Sequence, residues 1–172
     1  LHQLLICDPV AGTLTWRVRP REFFPSDRSM KWWNTMYAGE PALACVNSVG
    51  YCVGAILGEN FLAHRVIFAM TTGAWPKNEI DHEFGGTTDN VLSRMRDVTH
   101  AQNLRNQKRP SDNTSGFIGV CWDKRYKKWL ARINVDKKEI FLGLFRAKDD
   151  AIEARRQANL KYEFHSNHGR SA

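Results

Sequence analysis

Ile80-Asp81-His82-Glu83-Phe84-Gly85-Gly86-Thr87-Thr88-Asp89-Asn90, closed downstream by Thr99-His100-Ala101-Gln102-Asn103, is the stretch around which the chain is organised. Glu79 to His82 reads as a short strand and Met95 to Val98 as a second, with turn-forming Gly85-Gly86 and Asp89-Asn90 between them. Ordered loops of about a dozen residues inside compact domains are usually functional. Thr99 and Gln102 have the spacing of a capping box, which starts a helix running from His100 to about Lys108. Strand, loop, strand and helix form a unit that brings a carboxylate, an imidazole and an amide together. Asp81 offers a hard oxygen to a cation, beside a His82 ring that titrates near neutral pH. That pairing suits metal-assisted hydrolysis. The structural alternatives are plain: Asp81 capping a turn, His82 as a satisfied strand histidine, and Asn103 as a solvated helix residue.

Upstream, the alternation from Leu14 to Val18 after Gly12 predicts a short strand leaving a turn. Residues 19–37, rich in Arg, Phe, Trp and Pro without a clear period, read as an irregular loop. Ala44 to Ile56 and Asn60 to Ala63 read as a hairpin turning at Gly58-Glu59-Asn60, followed by a short helix from His64 that ends before Gly73. His64 and Arg65 are expected to pack that helix on the sheet. Downstream, the polar segment 109–116 has the composition of a linker. Three strand-like runs follow, Phe117 to Trp122, Lys128 to Val135 and Glu139 to Phe145, with turns at 123–127 and 136–138. Helical spacing then runs from Lys148 to about Tyr162.

Composition limits the partners. With 42% hydrophobic and 11% aromatic residues among 172, the chain can build a packed core. No apolar run of about twenty residues is present, so no membrane partner is expected. The first residues lack a basic and apolar signal pattern, and the four cysteines lack a C-x-x-C pair. Both point to a cytoplasmic, reduced protein, nucleoid-associated in a bacterial or phage-infected cell. The net charge is +7, with 12 Lys and Arg against 10 Asp and Glu in residues 1–110, and 13 against 8 in residues 111–172. The surplus gathers in the C-terminal third, where it would attract nucleic acid by counterion release.

The segments I-D-H, G-x-x-x-D-N, R-x-V-T and N-x-x-N resemble those of HNH endonucleases with a ββα-metal fold, especially the phage and homing kind. Leu14-Thr15-Trp16, Gly50-Tyr51 and Leu62-Ala63-His64-Arg65 resemble the stretches that precede the site in such proteins. The resemblance implies that Asp81 and Asn103 ligate a divalent cation, Mg²⁺ or another such as Mn²⁺. It implies that His82 is the general base and that cleavage leaves a 5′-phosphate. One position departs from the family. Where a loop-pinning Asn is usual, the chain has Arg94, a side chain that only donates hydrogen bonds. Arg94 would then bind phosphate, or Asn90 would hold the loop. A catalytically impaired scaffold that acts as a DNA-binding or regulatory protein is the alternative.

The segment 115–120, with Lys128 to Ile133, Leu142 to Phe145 and Ala151 to Ala158, resembles the AP2 DNA-binding domain that often follows phage HNH nucleases. That resemblance implies a sheet face in the major groove of double-stranded DNA. The candidates along its strands are Trp122, Lys124, Arg125, Lys127, Trp129 and Arg132, with Trp129 equally readable as core. Ala147 stands where the family often has a capping Thr. An RNA-directed nuclease fits the charge but not this resemblance. The expectation is an α+β protein: a nuclease region over 1–108 with a β-rich N-terminal extension, a linker over 109–116, and an AP2-like module over 117–172.

Overall fold

The computed structural model describes residues 1–170, and the chain divides into two compact units, 1–98 and 99–172. In the first, β1 (Leu5–Asp8) and β2 (Thr13–Trp16) form an antiparallel hairpin. Asp8 Oδ1 ties its turn, accepting the Val10 and Ala11 N–H groups at 2.9 Å each. The alternation after Gly12 is β2.

Residues 19–37 are not an irregular loop throughout: they contain α1 (Asp27–Tyr37). Its start is a capping box in which Ser26 and Ser29 satisfy each other's backbone N–H groups, a signal masked by the surrounding aromatics. Those aromatics pack together. Trp33 lies 5.6 Å from Trp16 and 5.9 Å from Phe24, ring centroid to centroid. Arg19 is buried with its guanidinium 4.6 Å from the Trp16 ring and 3.9 Å from the Trp33 ring.

The next sheet is narrower than the expected 44–56 run: β3 (Cys45–Val46), β4 (Cys52–Ile56) and β5 (Glu59–Leu62) pair in that order. Asn47 breaks the run because its Oδ1 accepts the N–H groups of Val49 and Tyr51. The β4–β5 turn is Leu57-Gly58 rather than 58–60, since Ile56 pairs with Glu59. Both turn residues have positive φ, 52° and 91°, as a type I′ turn requires.

Helix α2 (Ala63–Thr72) ends as expected at Gly73, a left-handed cap with φ 79°. It buries Val66 and Ile67 completely against Leu5, Leu14, Leu43, Ile56, Ile80 and Met95. Strands β6 (Glu79–His82) and β7 (Met95–Val98) pair antiparallel, with Asp81 opposite Arg96 and His82 opposite Met95. The entry to β6 is held twice. Arg65 donates to the carbonyls of Pro76 and Asn78, and Asp97 accepts the N–H groups of Lys77 and Asn78.

In the second unit, α3 (His100–Leu104) carries the expected Thr99–Gln102 capping box but stops short of Lys108. The C-terminal segment claims the backbone beyond it: Gln107 O accepts the Gly169 N–H, and Asn106 O accepts Arg170 Nη1. Residues of the 109–116 segment also bond within this unit, where Arg109 reaches the carbonyls of Arg170 and Gly116. A three-stranded antiparallel sheet follows, β8 (Val120–Asp123), β9 (Lys128–Val135) and β10 (Lys138–Phe145), with β9 central. Strand β8 starts at Val120 rather than Phe117, because Gly119 has φ 77° and lies so close to Arg132 O that a Cβ would meet it at 2.3 Å. The β9–β10 turn is Asp136-Lys137, one residue shorter than expected. Helix α4 (Lys148–Lys161) lacks a side-chain cap at Ala147 and has Asp149 and Asp150 in its first turn, where they favour the positive end of the dipole. Its Ala151 packs on Val120 and Ala131, with Trp129, Leu142 and Phe145 around them. Small antiparallel sheets and four α-helices, counted among the described residues, make a mixed α and β protein.

Leu57 is 59% exposed and gains nothing from burial to offset its left-handed backbone. Replacing it with Asn creates the favoured Asn-Gly pair. Leu57→Asn is expected to stabilise the N-terminal unit by about 1 kcal/mol, read as a higher urea midpoint at unchanged m. An unchanged or lower midpoint would refute a left-handed Leu57.

Candidate active site

Asp81 and His82 occupy the last two positions of β6, so their side chains leave opposite sides of the strand. Both are buried, at 5% and 7% exposure. Burying a carboxylate demands compensation, and Arg96, directly across the ladder, supplies it: its Nη2 lies 2.5 Å from Asp81 Oδ2. Arg96 was not singled out in the sequence, although the antiparallel register of the two strands leads to it.

His82 sits in a pocket of rings. The His64 imidazole stands edge-on to it with centroids 5.1 Å apart, and Tyr51 lies 5.9 Å from His82 and 5.2 Å from His64. On another side Asn90 Oδ1 is 3.4 Å from His82 Nε2. An amide oxygen only accepts, so this long contact places the ring proton on Nε2 and leaves the lone pair on Nδ1. Burial lowers the His82 pKa, while Asn90 and the carboxylates of Asp81 and Asp89 pull it partly back. The ring is therefore neutral at pH 7 and able to accept a proton. His64, expected only to pack its helix on the sheet, reaches this cluster from the first turn of α2, and burial, with His82 and the Arg65 guanidinium nearby, pushes its pKa down to about 4.

The loop between β6 and β7 is pinned at several points. Glu83 N–H reaches Arg94 O, Thr87 Oγ1 donates to Gly50 O, and Leu92 N–H donates to Pro9 O. Gly12 presses on the loop backbone, where a Cβ would come within 2.6 Å of Asn90 C and Val91 N. Asn90 is buried, and Arg94 is exposed and paired with Asp89 at 2.7 Å. That ion pair holds the Asp89 carboxyl below its ordinary pKa. Of the two loop candidates, Asn90 is the one in contact with His82. Arg94 closes the loop on itself.

Asn103 lies on α3, in the second unit, where its backbone N–H bonds Thr99 O. Asp81 in the first unit and Asn103 in the second each carry a hard oxygen of the kind that a small divalent cation with retained waters takes, and Asp81 already has the positive charge of Arg96 beside it. By donor chemistry each residue fits such an ion. No cluster of three His, Cys, Asp or Glu side chains suited to a metal occurs among the described residues.

Residues 61–105 match the family model described as HNH endonuclease. The match runs from the end of β5 through α2 and the β6–β7 hairpin to α3, and so covers His64, Asp81, His82, Asn90 and Asn103. Over 77 residues the chain is 30% identical to Protein 3.8 of Escherichia phage T7, which covers 44% of this chain and 64% of that protein. The chain thus spans less than two thirds of this relative's length. No solved structure matches the chain.

The candidates in the second unit divide between two faces. Trp122 and Trp129 are cross-strand partners on the α4 side with Val120 and Ala131, and Trp129 packs into the core with Lys148 over its ring. Arg132, three residues on from Trp129, is on the opposite face, exposed and 2.8 Å from Glu139. Trp129 and Arg132 therefore do not share a surface, which corrects the expectation of one face bearing both. Lys124, Arg125 and Lys127 stand exposed in the β8–β9 turn, which Asp123 Oδ1 organises by accepting the Arg125 and Tyr126 N–H groups.

The buried His64 makes the N-terminal unit sensitive to acid. Between pH 6.5 and about 4 the unfolded chain binds a proton at His64 that the folded chain refuses, so stability rises with pH across that window and is lost on acidification. His64→Gln should flatten this part of the urea-midpoint profile. Equal slopes for the two proteins would show that His64 is not buried as a neutral ring.

Proposed function

We propose that this chain is a divalent-metal-dependent DNA endonuclease of the HNH class, with residues 117–172 forming an AP2-like module that holds DNA and 109–116 joining the two. The observation that carries the reading is the neutral, buried His82 at a strand end, fixed by Asn90 next to Asp81, inside the segment that matches HNH endonucleases.

His82 Nδ1 accepts the proton of a water held in line with the phosphorus of a phosphodiester, and its Nε2–H stays directed at Asn90. Tyr51 and His64 pack on the ring and limit its rotation. Asp81 and Asn103 would hold the cation, which supplies positive charge to the phosphoryl oxygen and the departing 3′-oxygen. Arg96 neutralises the Asp81 carboxylate whenever no other positive charge does. The exposed cations of the β8–β9 turn and Arg132 supply the phosphate and base contacts.

A second reading rests on Arg94, which stands where such nucleases usually carry a loop-pinning Asn and here pairs with Asp89. In that reading the chain binds DNA on a nuclease scaffold without cutting it. Plasmid nicking by the pure protein, with and without EDTA and beside His82→Ala, separates the two. The expected outcome is metal-dependent nicking that falls at least ~100-fold in the variant. Intact DNA binding with no metal-dependent cutting would sink the enzyme reading. Arg132→Ala is expected to weaken duplex binding and reduce its salt slope with the fold retained. Unchanged affinity and slope would remove Arg132 from the DNA surface.

A further inference from the structure

The second unit contains a cavity of about 830 Å³ beside the part of β9 that runs past the start of β8. Four cationic side chains line it, Arg105, Arg132, Lys137 and Arg155, against two acids, Asp136 and Glu139. Arg105 pairs with Asp136 at 3.3 Å and Arg132 with Glu139 at 2.8 Å. Lys137 and Arg155 have no carboxylate partner among the described residues. For Arg155 this matters most, because it is 2% exposed and a buried charge without a counterion is costly.

The hydrogen bonding says what kind of partner is missing. Arg155 Nη1 donates to Arg132 O at 3.0 Å, and Nη2 lies 3.4 Å from His168 Nε2. A guanidinium only donates, so His168 Nε2 accepts and the neutral ring carries its proton on Nδ1. Burial and the charge of Arg155 keep that ring neutral, pushing its pKa down to about 4. Arg155 Nε is then a buried donor without an acceptor, while the His168 ring has the Arg105 backbone beside it. Gly119 lines the same cavity, and a Cβ there would come within 3.2 Å of Arg155 Nε and Nη1. A side chain at this position would press on that edge of the guanidinium.

We propose that this cavity binds a phosphate group, from free phosphate or a nucleic-acid backbone, with Arg155 as central donor and the exposed Lys137 at the rim. An oxyanion brings the charge and the acceptor lone pairs that these groups lack, and a guanidinium matches its geometry in bidentate fashion. The site does not depend on whether the chain cuts DNA.

Nuclear magnetic resonance of the full chain tests it, with inorganic phosphate titrated against sodium chloride of equal ionic strength. The Gly119 amide and His168 ring signals are expected to shift saturably with phosphate and not with chloride. Arg155→Gln should abolish the response. Lys137→Glu, a surface change that leaves the fold intact, should weaken it about tenfold. A short duplex with 5′-hydroxyl ends, added separately, identifies the source. If it moves the same signals and phosphate competes, the group is a backbone diester; if phosphate alone moves them, the group is free phosphate. Signals that respond to neither ligand, respond equally to chloride, or keep full phosphate affinity in Lys137→Glu would overturn the proposal, even if Arg155→Gln fails to fold.

Discussion

Two imidazoles and a carboxylate are buried in a unit of fewer than a hundred residues, and the rest of that unit is arranged to make this tolerable. Each group is handled differently. Asp81 is met by Arg96, which the ladder register sets opposite it. His64 and His82 give up the charged form instead, since rings packed among rings gain nothing from protonation in a low-dielectric surrounding. The outcome is a base poised in its neutral form next to a carboxylate that demands a positive partner. Both arise here from burial and register, and the proposed hydrolysis would draw on both.

The second unit applies the same rules to a sheet. Its core side is filled by Trp129, Ala131 and Val120 under α4, which leaves Arg132 and its neighbours for the outer face. A strand has two sides and a period of two, so aromatic packing and exposed cations are segregated by parity alone. At the end of the sheet, parity gives way to a crowded edge where Gly119, Arg155 and His168 meet. There the buried donors outnumber the acceptors.

Much of this was legible in the chain because the signals were local. The bounds of β6, β7 and β9, the Thr99–Gln102 cap and the Gly73 stop follow from periodicity and capping chemistry within a few residues. What escaped depended on partners distant in sequence. Helix α1 was hidden because its aromatic residues answer to Trp16 and Arg19 rather than to a helical period. The early end of α3 is imposed by a segment about sixty residues downstream, at Gly169 and Arg170. Within the site, Asp81, His82 and Asn90 announce themselves in one stretch. Arg96, Tyr51 and His64 join it only when strands pair and α2 packs; the stretches around Tyr51 and His64 resemble those that precede such a site, but nothing local puts these rings against His82.

Gly12 touches neither the base nor the carboxylate, yet its missing side chain is what allows the first hairpin to lie flush on the backbone of Asn90 and Val91. Pro9 receives the Leu92 N–H across the same seam. The opening turn and the loop beneath His82 therefore cannot fluctuate separately: exposing one strips the other of its backing. Hydrogen exchange would see them as a single cooperative patch despite some eighty residues of intervening chain. The rigidity of the site is in this sense borrowed from the first turn of the protein.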